Sequence, residues 1–109
     1  MDSSSKQPDG YCSVNKYLTL FSTKWTAHIV WLLSTQNEVR FGQIQKQLVF
    51  ASSKVLAERL KLLVRENFVW RRQEDSVPPN VYYGLTSKGE ELAAIVKTII
   101  RKSDDWDKE

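Results

Sequence analysis

The residues with the greatest capacity for chemistry cluster between Ser52 and Arg65. Two hydroxyls, Ser52 and Ser53, run directly into Lys54, and Glu58, Arg59, Lys61 and Arg65 follow. This combination binds anions. Serine donates to phosphate, lysine and arginine bond phosphate or guanine edges, and a helix N-terminus itself attracts negative charge. At about 100° per residue, Lys54, Glu58, Lys61 and Arg65 gather on one side of a helix while Leu56, Leu60, Leu63 and Val64 share the other. A face of three cations and one acid then meets solvent, and the partner it suits is the major groove of double-stranded DNA. An isolated segment of this kind also describes an ordinary solvated surface helix. A second basic element weighs for DNA: Arg71 and Arg72 end a strand that reads as half of a hairpin, where a wing sets arginine beside the minor groove or a flanking phosphate. Lys24, Arg40 and Gln43, near the starts of two further helices, are candidate contacts to backbone phosphate.

Bond-making chemistry is not indicated. The chain has no glycine-rich phosphate loop and no nucleophile elbow, and one histidine with one cysteine does not make a metal site. No enzymatic activity, metal or cofactor is expected. Cys12 stands just ahead of the first helical segment, where the helix dipole lowers a thiol pKa, with Lys16 four residues on. It is a candidate redox- or electrophile-sensing thiol, the alternative being a small, partly buried residue. His28 lies in an apolar stretch and reads as structural.

The elements that must position these residues follow from spacing. Val14, Tyr17, Leu18 and Phe21 recur as one helical stripe from Ser13 onward. Trp25 to Leu33 is apolar nearly all round, the pattern of a central buried helix, with Thr23 as its expected N-cap. Val39 to Phe41 is a minimal strand, Gln43 to Leu48 a short helix, and Ser52 with Ser53 caps the helix Lys54 to Glu66. Phe68 to Gln73 and Val81 to Leu85 are β-branched and aromatic runs joined by Glu74 to Asn80, which reads as a β-hairpin. Ser87 with Glu90 forms a capping-box pattern ahead of Leu92, Ile95, Val96, Ile99 and Ile100, so the chain ends on a long helix. The order helix, helix, minimal strand, helix, helix, hairpin, helix is a winged helix-turn-helix, mainly α with a small hairpin.

With 109 residues the chain is one domain, and 27% charged against 41% hydrophobic residues places it among ordinary globular proteins. Residues 1–11 read as a flexible tail, 12–106 as the folded domain and 107–109 as an acidic end. Asp104, Asp105, Asp107 and Glu109 against Lys108 leave the last seven residues at −3, so the rest of the chain, within a total of +3, carries +6. A basic body is compatible with a polyanionic partner. Met1 to Gly10 is polar where a signal peptide needs an apolar core, and no apolar run approaches membrane-spanning length, so a cytoplasmic protein without membrane association is expected. A domain this small does not easily cover the apolar stripes of both terminal helices. Val14, Tyr17, Phe21, Leu92, Ile95, Val96, Ile99 and Trp106 are therefore candidates for a homodimer interface, against the alternative that they close the monomer's own core.

Several linked motifs resemble the HxlR-type winged-helix regulators, relatives of the MarR group. Cys12-Ser13-Val14 is similar to that family's Cys-Pro-Val start, and Lys24-Trp25-Thr26 to its Gly-Lys-Trp-Thr element. Arg40-Phe41-Gly42 matches the Arg-Phe segment ahead of the third helix, and Ser52 to Leu60 (SSKVLAERL) resembles the recognition-helix signature. Pro78 to Thr86, followed by Lys88-Gly89, resembles the wing and the Leu-Thr-x-x-Gly lead into the last helix. The resemblance implies a dimeric repressor or activator that binds a short inverted-repeat operator, in some members under control of a cysteine at the position of Cys12. Ser13, Thr23 and Ala51 depart from the common residues, so the subgroup is not specified, and neither is a small-molecule effector. The rival to DNA readout is a winged-helix module that binds protein, since fold does not determine function.

Overall fold

Three leucines one helical turn apart, Leu56, Leu60 and Leu63, are fully buried, and the architecture is organised around what they pack against. The computed structural model describes residues 11–108, with side chains from Val14 onward. Its elements are α1 (Tyr11–Ser22), α2 (Thr26–Ser34), β1 (Val39–Arg40), α3 (Phe41–Gln47), α4 (Ser53–Arg65), β2 (Val69–Gln73), β3 (Val81–Leu85) and α5 (Ser87–Asp107). The strands form one antiparallel sheet in the order β1-β3-β2. The expected hairpin is therefore completed by the minimal strand, with Val39 opposite Tyr83 and Arg40 opposite Tyr82. In the hairpin itself Val69 faces Leu85 and Gln73 faces Val81.

Helix α2 is the hub. Ile29, Val30, Leu32 and Leu33 are buried, and the helix packs against α1, α4, α5 and β3. It is not buried all round as its composition suggests, because His28 and Trp31 lie on an exposed stripe. Its start also differs from expectation. The Thr23 hydroxyl donates back to the Thr19 carbonyl at 2.8 Å, which closes α1 instead of capping α2. The residue at the N-cap position is Trp25, in the left-handed region at φ 76°. A bulky residue there is a sparsely populated conformation that its surroundings must enforce. Trp25 is held by its ring against His28, centroids 4.9 Å apart, and by the bond from Ile29 N to its carbonyl at 2.9 Å.

The end of α4 is also set by a left-handed residue, Asn67 at φ 67°, a type that tolerates this region. Phe68 N then donates to the Leu63 carbonyl at 2.9 Å, and β2 departs. The N-cap of α5 is Thr86, one residue ahead of the expected Ser87: its Oγ1 accepts from Gly89 N at 3.0 Å. Thr86 is preferred because its hydroxyl also donates to the Asn67 carbonyl at 2.7 Å, joining the start of α5 to the corner after α4. Helix α1 is tied to that corner by the Lys16–Glu66 ion pair at 3.0 Å. The hydrogen bond raises the Lys16 ammonium above its ordinary pKa and lowers the Glu66 carboxyl below its own. Residues 1–10 lie outside the described residues, as does the side chain of Cys12. The helix begins at Tyr11, so that Cys12 belongs to its first turn and does not precede it. At the other end Asp107 is still helical.

Gly89 marks the closest approach of α5 to the sheet. A Cβ there would overlap the Phe68 carbonyl oxygen, a backbone atom with no freedom to retreat, whereas a Cβ on Gly42 in α3 meets open space. Gly89→Ala is expected to destabilise the fold by about 1–3 kcal/mol through overpacking. Gly42→Ala, at an exposed helical site, should be neutral or stabilising by up to about 1 kcal/mol. Urea unfolding of the two variants checks the contrast, and equal midpoints would refute the packing assignment.

Candidate nucleic-acid interface

Helix α4 presents the expected division of labour. Its buried stripe is Leu56, Leu60 and Leu63, with Val64 half-buried, while Lys54, Glu58, Lys61 and Arg65 are exposed. The helix is capped by Ser52, whose Oγ accepts from Val55 N at 3.1 Å, which leaves its hydroxyl proton to donate outward. Ser53 is the first helical residue, and its Oγ accepts from Gln45 Nε2, tying α3 to α4 at the entrance of the pair. Helix α3 is braced at its own start by Gln43, whose Oε1 accepts from Arg40 N at 3.0 Å. The Gln43 amide nitrogen and the exposed Lys46 remain as donors on that side. Lys46 sits in the last turn of α3 and was not singled out from the sequence, where nothing distinguishes it from a solvated lysine.

Arg59 has a different task from its neighbours on α4. It is half-buried, its Nε donates to the Lys24 carbonyl at 2.9 Å, and its guanidinium lies 3.8 Å from Glu58. It therefore secures the strained turn before α2 to the middle of α4. It is a positioning residue and does not belong to the outward-facing set. Lys24 is exposed, with its ammonium 5.5 Å from the Trp25 ring centroid.

The two hairpin arginines part company because successive strand residues point to opposite faces. Arg71 is exposed, on the same sheet face as α4, and with Ala57, Lys61, Val64 and Tyr83 it lines a groove of about 350 Å³ between the helix and the sheet. Its guanidinium donates to the neutral Gln73 amide oxygen at 3.1 Å, and among the described residues it has no acidic partner. Arg72, on the other face, is occupied. Its Nη2 bonds Glu38 at 2.8 Å, its Nη1 bonds Glu74 at 3.3 Å, and its guanidinium stacks 4.5 Å from the Tyr82 ring centroid. The bond to Glu38 raises its pKa above the ordinary value, against some desolvation. Arg72 thus spends its charge holding the hairpin to the turn before β1. Arg40 works similarly, with Nη2 donating to Asn80 Oδ1 at 3.0 Å at the root of the wing. The structure brings Lys61 and Arg71 together at one groove, leaves Ser52, Ser53 and Lys54 exposed at the head of the same helix, and engages Arg59 and Arg72 in contacts within the domain.

The candidate dimer residues divide as well. Leu92 and Val96 are buried against α2 and belong to the monomer core. Tyr17 and Phe21 are half-buried, stacked at 6.0 Å and each meeting the Phe68 ring edge-on, at 6.2 and 5.8 Å. Val14, Ile95, Ile99 and Trp106 are exposed, and so are Leu18, Trp31 and Ile100, which the interface expectation did not include. Some of these residues line two grooves along α5. One lies beside Tyr17, Phe21 and Ile95, and the other, of about 260 Å³, is lined by Ala27, His28, Trp31, Val96, Ile99 and Ile100. Among the described residues no His, Cys, Asp and Glu cluster could hold a metal ion, and no helix is long and apolar enough to cross a membrane.

Comparison with known proteins agrees with this geometry. Residues 20–109 match the model of the HxlR-like helix-turn-helix family. The chain is 35% identical over 85 residues to the regulatory protein MalR of Fusobacterium mortiferum, covering 78% of this chain and 80% of MalR. A crystal structure of a MarR-family transcriptional regulator from Porphyromonas gingivalis superposes with a TM-score of 0.77 at 30% identity, over 87% of this chain and 92% of that one. The reduced form of the transcriptional regulator YodB from Bacillus subtilis gives 0.73 at 30% identity, over 84% and 89%.

Proposed function

Because the chain belongs to the HxlR-like helix-turn-helix family of transcription regulators, we propose that it binds a short inverted-repeat operator as a homodimer, one α4 in each of two successive major-groove faces. Its work is recognition, as in its relatives, which are regulators and not enzymes. The observation that carries the reading is the groove shared by α4 and the wing, lined by Lys61 and Arg71 and by no acidic residue, about two turns along from the Ser52 cap and Lys54. Ser52, Ser53 and Lys54 contact phosphates and base edges at the head of the helix, and Lys61 and Arg71 hold the flanking backbone. Gln43 and Lys24 add donors at the margins. The proposed place of action is the cytoplasm, where the operator is.

A binder of this kind loses affinity linearly in log–log terms as salt is added, with about 0.9 of slope per phosphate contact. Lys61→Ala is expected to lower that slope by about one in a titration of duplex DNA at several salt concentrations. Arg72→Ala should leave the slope unchanged while lowering the melting temperature, because its charge is used within the hairpin. Binding that ignores salt would instead favour a protein-interaction module.

The dimer reading rests on Val14, Leu18, Ile95, Ile99 and Trp106, an exposed apolar set on the two terminal helices. Two-fold pairing through α1 and α5 would have to present the two α4 helices to major-groove faces about 34–36 Å apart. Ile99→Asp should yield a folded monomer by sedimentation, with operator affinity reduced at least tenfold. A monomeric parent protein that still binds the operator tightly would sink the model.

We further propose that oxidation of Cys12 alters operator affinity. YodB, whose structure is known both reduced and after diamide treatment, supports looking for such a response. Diamide is expected to shift the operator affinity of the parent protein and to leave Cys12→Ser unaffected. An identical response in the two proteins would remove Cys12 from the reading.

A further inference from the structure

The turn between α3 and α4 exposes two large apolar side chains at the head of the proposed recognition helix. Phe50 is 90% exposed and Val49 66%. Their neighbours Leu48 and Ala51 pack against the core, and Ala51 N bonds the Leu48 carbonyl at 3.0 Å, so the turn is anchored on both sides of the exposed pair. Nothing in the folded domain requires a phenylalanine there, since the side chain contributes no burial.

The surroundings indicate what it meets. From Arg40 to Ala57 the chain carries three cations, Arg40, Lys46 and Lys54, and no acid. Ser52 and Ser53 follow Phe50 by two and three residues, at the end of α4 that enters the groove in the reading above. The apolar surface assigned to self-association is carried by α1, α2 and α5, not by this turn. Two side chains are also far too little for a stable protein interface, which takes about 800 Å² from each partner. The partner of this patch is therefore a polyanion that also displays small apolar groups. DNA does so in the major groove, where the thymine C5-methyl accepts apolar contact from side chains including phenylalanine.

We propose that Phe50, supported by Val49, packs on a thymine methyl at the edge of each half-site and selects an A·T pair there. The assignment rests on the DNA-binding reading, and it makes Phe50 a specificity residue distinct from the cations that hold the phosphate backbone.

The test uses the full chain and an operator duplex recovered from a random pool, in which thymines are replaced one at a time by uracil. This removes only the methyl group. At one position per half-site the replacement should weaken the parent protein about fourfold, the equivalent of one buried methylene-sized group. Phe50→Ala should bind the thymine operator more weakly, be indifferent to uracil at that position, and keep the parent's salt slope and non-specific affinity. Phe50→Leu should retain part of the discrimination. Because the side chain is exposed, the melting temperature should not move. The proposal is overturned if every uracil duplex binds the parent as well as the thymine duplex, or if Phe50→Ala keeps the uracil sensitivity. A parent protein with no salt-dependent duplex binding would overturn the DNA-binding reading as well, which separates the two failures.

Discussion

The backbone around Phe68 is the joint on which the remaining geometry depends. Its N–H closes the end of α4 on the Leu63 carbonyl, and its carbonyl accepts from Thr86 N at 3.1 Å, fixing the end of the hairpin. The same carbonyl is the atom against which Gly89 brings α5. Its ring takes Tyr17 and Phe21 of α1 on one side and the Lys88 ammonium, 4.3 Å from the centroid, on another. Lys88 also donates to the Glu66 carbonyl at 3.0 Å, satisfying an orphan acceptor at the end of α4. One residue thus sets the angle between the recognition helix, the wing and the long terminal helix. Rigid placement of these three parts matters because base-edge contacts tolerate little displacement.

Charge is allocated by the same geometry. In the hairpin, strand alternation decides which arginine faces α4. Arg71 and Arg72 are adjacent in sequence, yet one faces the α4 groove and the other is enclosed by Glu38, Glu74 and Tyr82. Arg59 is withdrawn in a similar way because its position on α4 lies over the turn before α2, where the Lys24 carbonyl needs a donor. That turn is the one place on α2 where backbone strain is stored, and the bond from α4 is among the contacts that hold it.

Much of this was legible in the sequence, for reasons specific to each element. The leucine stripe of α4 and the aromatic runs of the hairpin have unambiguous periods, so their types and lengths followed. Helix ends were less so. Thr23 has the residue type of an N-cap, but its hydroxyl has a better acceptor one turn back in α1, and the strained Trp25 gives no composition signal. Ser87 fits a capping box by spacing alone, whereas Thr86 wins through a bond to Asn67, nineteen residues away. The faces of α5 were the hardest to divide, because Leu92 and Val96 on one stripe and Ile95 and Ile99 on the next are chemically alike. Only the location of α2 decides which stripe is core. For Phe50 the surrounding absence of acidic residues was visible, but its exposure depends on how tightly the turn closes.

The cations around α4 also bear on the proposed pairing of two copies. In the proposed reading Lys46, Lys54, Lys61 and Arg71 would supply a few phosphate contacts per chain, each a modest, salt-sensitive increment. A single α4 with its wing would hold DNA weakly and with little discrimination among the many competing sites. The proposed pairing of two copies through α1 and α5 would double the electrostatic footprint and add a geometric filter, since both helices would engage only where half-sites have the right separation. The exposed apolar stripe of α5 then has a physical purpose. Leu92 and Val96 belong to the core of the domain, and Ile95 and Ile99, on the next stripe of the same helix, are exposed and carry the proposed pairing.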